Sequence, residues 1–167
     1  SFESIAVTRV VNNNAQLYAN KTEGFVGINL KKEDNAEFIC DCSDLSEIIV
    51  IRKDGKYLVT KVSEKAFFGK DILYVGLFDR NDQRTVYNVI YREGKTSLSY
   101  AKRFAVTSVT RDKEYDITQG TPGSTILWFT VNHNAEAETV KIYYRQRPKL
   151  KKLIDEYDFS QLLIKGR

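Results

Sequence analysis

The chain has 167 residues, of which 42% are hydrophobic and 29% charged, with only two prolines and nine glycines. This length fits one domain with a buried core, and this composition excludes a disordered tail. No apolar run reaches the roughly 20 residues of a membrane span, no signal-peptide pattern opens the chain, and the net charge of +4 is only a mild bias toward polyanions.

Strand signals follow one another along the chain. Short runs rich in Val, Ile, Thr, Tyr and Phe are bounded by Gly, Asn, Asp or Pro, which is typical of β-strands. In chain order these runs are EIIVIR (47–52), YLVTKV (57–62), DILYVGLF (71–78), TVYNVIY (85–91), STILWFTV (124–131) and VKIYY (140–144). Only LKKLIDEY (150–157) has a helical pattern, over about two turns. The chain is therefore predicted to be all-β.

Two similar turns occur in IRKDGKYL (51–58) and IYREGKTS (90–97). Each places an acid and a glycine between two cations. If the acid–glycine pair is the tip of a two-residue hairpin, Lys53 faces Lys56 and Arg92 faces Lys95 across the strands. Like charges in that position repel one another. The presence of two such tips therefore suggests that the facing cations have a function.

The interval from Gly55 to Gly94 links four predicted turns. The same interval counted forward from Gly94 reaches His133, and counted backward from Gly55 it reaches Gln16. Self-similarity at about 40 residues, with about four strands per unit, is typical of propeller-like repeats. Both faces of the hairpin around Gly55 are largely apolar, as expected for a blade buried on both sides. The predicted repeats are residues 1–43, 44–82, 83–124 and 125–167 of a single domain, 1–167.

No catalytic arrangement is evident. The lone histidine, His133, lies in a predicted turn, where an exposed structural role is favoured over catalysis. The acidic group Asp155, Glu156 and Asp158 could bind a cation, but charges on an exposed turn explain it better. The ten tyrosines fall inside strands, where packing explains them. We expect no catalytic residue, no metal and no cofactor in this chain.

The two cysteines, Cys40 and Cys42, are spaced C-x-C in FICDCSD. Neighbouring positions on one face of a strand are poorly placed for a disulfide, and a metal site would need more ligands. Both are predicted to be small, reduced core residues, which fits a reducing compartment. The serine at position 1 and the absence of methionine suggest a piece of a longer protein.

Binding is the favoured class of function, because cations concentrate at predicted turns and strand ends. Equivalent tips of radially stacked repeats lie on one rim, and a cationic rim attracts a phosphate backbone without reading its sequence. The alternative is that these cations only keep strand edges soluble and unpaired. The candidate DNA-binding residues are Arg52, Lys53, Lys56, Lys65, Lys70, Arg92, Lys95, Lys102, Arg103, Arg145, Arg147, Lys149, Lys151 and Lys152.

The segment DLSEIIVIRKDGKYLVTKVSE (44–64) resembles the blade motif in the C-terminal domains of bacterial type IIA topoisomerase A subunits, of DNA gyrase and topoisomerase IV. In that family an apolar strand, a turn ending in Gly-Lys and a second strand recur in each blade. Residues 21–44 and 102–120 resemble the intervening segments, and LLIKGR (162–167) resembles the start of another blade. The resemblance is strongest to the topoisomerase IV subunits of the Bacteroides group.

The resemblance implies a β-pinwheel, a propeller-like ring that binds and bends duplex DNA beside a catalytic core. The glycine-rich heptapeptide that marks gyrase is missing from this sequence, which favours topoisomerase IV. The implied partners are the catalytic core of the same polypeptide and the separate ATPase subunit, with ATP and Mg²⁺ bound only there. The domain is expected to be monomeric, cytoplasmic and without membrane contact. A protein-interaction propeller that uses exposed aromatic residues is the rival interpretation.

Overall fold

The computed structural model describes residues 13–31, 34–134, 139–143 and 154–165. These residues form strands with short 3₁₀ segments such as Phe159–Gln161, so the all-β prediction is confirmed. Residues 154–157 of the run with a helical pattern belong to a strand, Ile154–Asp158. The strands are β1 (Ala15–Asn20), β2 (Phe25–Gly27), β3 (Glu37–Cys42), β4 (Glu47–Arg52), β5 (Lys56–Lys61), β6 (Ala66–Phe67), β7 (Ile72–Phe78), β8 (Val86–Arg92), β9 (Ser99–Phe104), β10 (Tyr115–Asp116), β11 (Thr125–Asn132), β12 (Thr139–Tyr143), β13 (Ile154–Asp158) and β14 (Ile164–Lys165).

Three sheets have four strands each, in the orders β3-β1-β2-β6, β10-β5-β4-β7 and β11-β8-β9-β14, while β12 pairs with β13. The same strand order recurs in all three, although β14 is parallel to β9 whereas β6 and β10 are antiparallel to their partners. In each sheet a short strand from further along the chain joins the edge: β6 pairs with β2, β10 with β5 and β14 with β9. The recurrence supports a repeat architecture. β11 begins at Thr125, the start of the predicted fourth repeat, and pairs with β8 of the predicted third.

The chain divides into two compact units. The first comprises Ser1–Arg52 and Val59–Phe78, and the second comprises Lys53–Leu58 and Asp79–Arg167. The core of the first unit is aliphatic, and in the second unit β8 is buried along nearly its whole length. The buried core of the first unit contains Leu17, Ala19, Val26, Cys42, Ile48, Val50, Val62, Ile72 and Val75.

Strand β4 shows why the apolar runs of the sequence have no polar alternation. Ile48 and Val50 point to one face, and Ile49 and Ile51 to the other. All four side chains are at most 2% exposed, so the predicted burial of both faces is confirmed for this strand. Burial on both sides favours a continuous apolar run over alternation.

The β1–β2 turn and the β4–β5 turn make the same backbone contacts. In the first unit the amides of Phe68 and Ile72 donate to the carbonyls of Gly24 and Lys21, both at 2.8 Å. In each case, the residue after a short edge strand and the first or second residue of the next long strand donate amides to a turn that ends in glycine. Gly24 has a φ of +91°, a conformation that glycine adopts without steric cost.

This pattern corrects the predicted frame. Gln16 lies inside β1 and not in a turn, so the interval taken backward from Gly55 misses the equivalent position. The equivalent of Gly55 is Gly24, which is nearer in sequence than the interval requires. His133 lies in a turn after β11 and is exposed, as predicted.

The predicted two-residue hairpin tips are also wrong. Strand β4 ends at Arg52, so three residues separate it from β5. Three-residue loops place a glycine in the left-handed region at their last position, and Gly55, with a φ of +91°, fits this class. Between β8 and β9 the loop has six residues, and Arg92 pairs with Ser99. The expected like-charge pair of Arg92 and Lys95 across the strands is therefore not formed.

Candidate nucleic-acid interface

Three segments of the second unit meet at one end, which we call the basic end. They are the β4–β5 turn (Lys53–Gly55), the β8–β9 loop (Glu93–Leu98) and the β10–β11 connection (Ile117–Ser124). Arg92, the last residue of β8, pairs with Thr125, the first residue of β11. This pairing fixes the loop and the connection at the same end of their sheet.

The β4–β5 turn is held by the ends of the β10–β11 connection. Ile117 donates its amide to the carbonyl of Gly55 at 2.8 Å, and Ile126 donates to the carbonyl of Lys53 at 2.7 Å. Gly55 is buried, and a Cβ added there would come within 2.7 Å of the Thr118 side chain. The turn backbone is fixed in this way, while the side chain of Lys53 is exposed.

The β8–β9 loop is built around the carboxylate of Glu93, which is 7% exposed. The side chain of Thr96 donates to this carboxylate at 2.6 Å, and the Thr96 amide donates to the same oxygen. These bonds, with further ones from Thr121 and the amide of Lys95, lower the pKa of Glu93 to about 2. A buried, ionised acid thus orders the loop that carries the exposed Lys95.

The β10–β11 connection contacts both turns. The amide of Gly94 donates to Ser124 Oγ at 3.0 Å, and a Cβ added at Gly94 would lie 2.0 Å from the carbonyl oxygen of Pro122. At the other side, Asp116 accepts hydrogen bonds from the amide and the hydroxyl of Thr118, at 2.9 and 2.7 Å. The structure therefore brings both acid–glycine turns of the sequence onto one connection.

Four of the predicted DNA-binding residues lie at the basic end. Lys53, Arg92 and Lys95 are exposed. Lys56 is half-buried and forms an ion pair with Glu114, with 3.6 Å between Nζ and Oε1. The connection itself carries no charged residue. The β4–β5 turn also carries the exposed Asp54, so the exposed charges of the turn, the loop and Arg92 are three cations and one acid.

Two other predicted residues of the second unit are not on its surface. Lys102 is half-buried, its Nζ donates to the carbonyl of Ile117 at 3.0 Å, and burial lowers its pKa. Arg103 is only 8% exposed. Both lie on β9, whose residues change from exposed at Ser99 to buried at Phe104 and do not alternate, and the sequence SYAKRF does not show this gradient. Arg103 is therefore not exposed as the rim hypothesis expects, and the Lys102 ammonium is engaged with a backbone carbonyl.

Three predicted residues belong to the first unit. Arg52 donates from Nη1 to the carbonyl of Phe68 at 2.9 Å, so its guanidinium holds the β6–β7 connection. Lys65 lies over the ring of Phe25, with Nζ 4.9 Å from the centroid, and Lys70 is exposed. The predicted residues Arg145, Arg147, Lys149, Lys151 and Lys152 lie outside the described residues.

Sequence reasoning missed two parts of the basic end. It treated Glu93 as a turn residue, although the Thr at position 96 is a signal for a side-chain cap on the loop. It also passed over ITQGTPGS (117–124), a neutral, glycine- and proline-containing run that is typical of an exposed connection. Both lie beside cations, whose charge is the more conspicuous signal.

The residues considered for chemistry have structural roles. Cys42 is fully buried and Cys40 packs against the same core; both are free, and burial raises the pKa of each thiol. His133 Nδ1 lies 3.3 Å from Thr85 Oγ1. Asp158 lies at the end of β13 and not in a turn, and it accepts the amide of Ser160. Across the described ranges, no three His, Cys, Asp or Glu side chains cluster in a way that could hold a metal ion.

No helix among these residues is long and apolar enough to span a membrane.

Comparison with known proteins gives one family and one curated relative. The family model for the topoisomerase C-terminal domain of Bacteroidota matches residues 16–167. The chain is also similar to the A subunit of DNA topoisomerase 4 from Borreliella burgdorferi, with 28% identity over 111 residues. This match covers 66% of the chain and 17% of the relative's length. No solved structure matches the chain significantly.

Proposed function

The chain belongs to the Bacteroidota topoisomerase C-terminal domain family, and from this membership we propose that it is a non-catalytic DNA-binding and DNA-bending domain of a type IIA topoisomerase A subunit. Its role is to position duplex DNA for strand passage during decatenation and supercoil control. Its proposed partners are the catalytic core of the same polypeptide and the separate ATPase subunit. Bound ATP and Mg²⁺ belong to those parts, and the bacterial cytoplasm is the proposed location. The β-pinwheel arrangement remains part of this proposal.

The observation that carries the proposal is the basic end of the second unit. Lys53, Arg92 and Lys95 are exposed there on turns that are fixed by hydrogen bonds to one connection. Cations on a fixed frame bind phosphates with less loss of conformational freedom than cations on mobile loops. Such contacts release counterions from the duplex and do not read base identity. We therefore expect discrimination by the shape and bendability of DNA.

A matched pair of substitutions at the two ends of β8 tests the proposal. Arg92 is the last residue of this strand, at the basic end, and Arg84 lies two residues before the strand begins, at its other end. Both arginines are exposed. We expect Arg92→Ala to weaken binding of a fluorescent duplex of about 40 base pairs by about three- to tenfold at low salt, and Arg84→Ala to change it less than about twofold. Fluorescence anisotropy measures both.

The same assay separates the rival function. The first unit exposes Phe38 and Phe67, at 52% and 60%, and such aromatic residues suit a protein partner. If the wild-type chain does not bind duplex DNA while it retains its thermal transition, the DNA-binding proposal fails. Equal losses for Arg92→Ala and Arg84→Ala would retain DNA binding but exclude the basic end as its site.

A further inference from the structure

The β10–β11 connection differs from its counterpart in the first unit. The counterpart is the β6–β7 connection, since both follow a short edge strand and both donate amides to the preceding glycine turn. Four residues, Phe68–Asp71, separate β6 from β7, whereas eight residues, Ile117–Ser124, separate β10 from β11. The longer connection is therefore not required for the contact that the two share.

The additional length is neutral and exposed. Gln119, Gly120, Pro122 and Gly123 are all exposed, and no residue from Ile117 to Ser124 is charged. The shorter β6–β7 connection, in contrast, carries Lys70 and Asp71. An exposed segment without charges between cationic turns does not repel an anion and requires no desolvation of ions on contact.

The glycines of the connection allow a close approach to a ligand. Gly120 and Gly123 have φ values of +83° and +84°. Glycine without a side chain lets a backbone come close to a ligand, and backbone amides are common partners of phosphate oxygens. The amide of Gly120 already donates to Thr118 Oγ1 at 3.1 Å, so this residue contributes closeness of approach and not a donor. The ends of the segment are fixed by Thr118 on Asp116 and by Ser124 on Gly94, so its conformation is prepared before binding.

We infer that the β10–β11 connection, residues 117–124, is itself a DNA-contacting element that lies against the sugar–phosphate backbone between the cationic turns. This inference rests on the proposed DNA-binding function and adds a contact that charge alone does not reveal. The turns attract the duplex, and the neutral connection sets how closely the duplex approaches.

Opposite charges placed at Gln119 test this inference in the complete 167-residue chain. Gln119 is exposed, so both Gln119→Lys and Gln119→Glu are compatible with the fold. Against a phosphate backbone, we expect Gln119→Lys to tighten binding of the duplex about three- to tenfold and Gln119→Glu to weaken it by a similar factor. The slope of log K against log salt should steepen by about 0.9 for the lysine variant, as for one added phosphate contact.

Asn134 provides matched controls with the same changes in net charge. It is exposed and follows the far end of β11, whose eight residues span about 26 Å. This separation is about three Debye lengths at physiological salt, where the Debye length is about 8 Å. Asn134→Lys and Asn134→Glu should therefore leave affinity within about twofold of the wild type.

The outcomes distinguish the two proposals. If Arg92→Ala weakens binding but both Gln119 variants match the wild type, the connection is not a contact and only this inference is overturned. If both Gln119 variants weaken binding, the change acts through structure, which also overturns it. If the wild-type chain does not bind the duplex, both proposals fall. Thermal midpoints equal to the wild type within about 2 °C establish that the variants are folded.

Discussion

At the scale of single residues, Glu93 has the most specific electrostatic role at the basic end. Its carboxylate accepts hydrogen bonds from Thr96 and Thr121, which lower its pKa from the ordinary 4.5 to about 2. A lowered pKa in the folded state means that ionised Glu93 stabilises the fold above pH 4.5, and that this contribution is lost as the pH falls toward 2. The loop that presents Lys95 therefore depends on pH in this range.

We predict that Glu93→Gln lowers the thermal midpoint by a few degrees at pH 7, because an amide replaces a charged acceptor of these hydrogen bonds. The difference from the wild type should shrink between pH 5 and pH 2, as the wild-type carboxylate is protonated. Thermal denaturation followed by circular dichroism measures both effects. Glu64→Gln, at an exposed position, controls for the lost charge. An equal difference at pH 7 and pH 2.5 would show that the ionised form of Glu93 is not what stabilises the loop.

The residue types alone were enough to predict that the cations at turns are exposed, but not which cations within strands are exposed. Lys53 and Lys95 are exposed because turns at the end of a sheet lie on the surface. Arg103 has the same chemistry but lies on β9 opposite Asn88, which is fully buried. Burial along β9 increases from Ser99 to Phe104 and does not alternate, so Arg103 is buried because it lies toward the buried end of the strand. The sequence SYAKRF does not show which end of the strand is buried.

At the scale of elements, strand burial could be predicted and loop length could not. The run EIIVIR indicated a strand buried on both faces. The four side chains from Ile48 to Ile51 are at most 2% exposed, which confirms this prediction. The turn after β4 was expected to have two residues and has three, and the loop after β8 has six. Both loops contact residues at or near the β10–β11 connection, which comes from a later part of the chain. Local turn chemistry does not contain this information.

The contact between the β8–β9 loop and the connection can be tested with two glycines. A Cβ at Gly94 would lie 2.0 Å from the backbone oxygen of Pro122, so one of the two segments must move. At Gly120 the nearest atom is 3.7 Å away, and only the positive φ is unfavourable. We expect Gly94→Ala to reduce the free energy of unfolding by about 3 kcal/mol, and Gly120→Ala by about 1 kcal/mol. Urea denaturation measures both. Equal losses would mean that the loop and the connection are not in close contact.

At the scale of the whole molecule, a strand order recurs among the sheets, but the predicted sequence interval does not describe it. Gly24 lies nearer to Gly55 in the sequence than Gly55 lies to Gly94, so no single step relates all three turns. The β10–β11 connection is longer than the β6–β7 connection, which shows that the units differ in the lengths of their connections. Each sheet also takes its short edge strand from a later part of the chain, so units of structure and units of sequence overlap. A fixed sequence period cannot describe such an arrangement.

The salt dependence of DNA binding tests the electrostatic account for the complete chain. Each phosphate contact contributes about 0.9 to the slope of log K against log salt for duplex DNA. Replacing the three exposed cations Lys53, Arg92 and Lys95 by alanine should therefore flatten the slope by about 2.7. Affinity measured by anisotropy between about 50 and 200 mM salt, a range in which such slopes are large, gives this value.

A control variant removes three exposed cations that lie outside the basic end: Lys31, Lys61 and Arg84. It has the same net charge as the first variant, so a general effect of charge would flatten both slopes equally. Contacts localised at the basic end instead predict a change of less than about 1 for the control. An unchanged slope for the Lys53, Arg92 and Lys95 variant would place the phosphate contacts elsewhere in the chain. The repeated acid–glycine turns would then serve only the packing of the second unit.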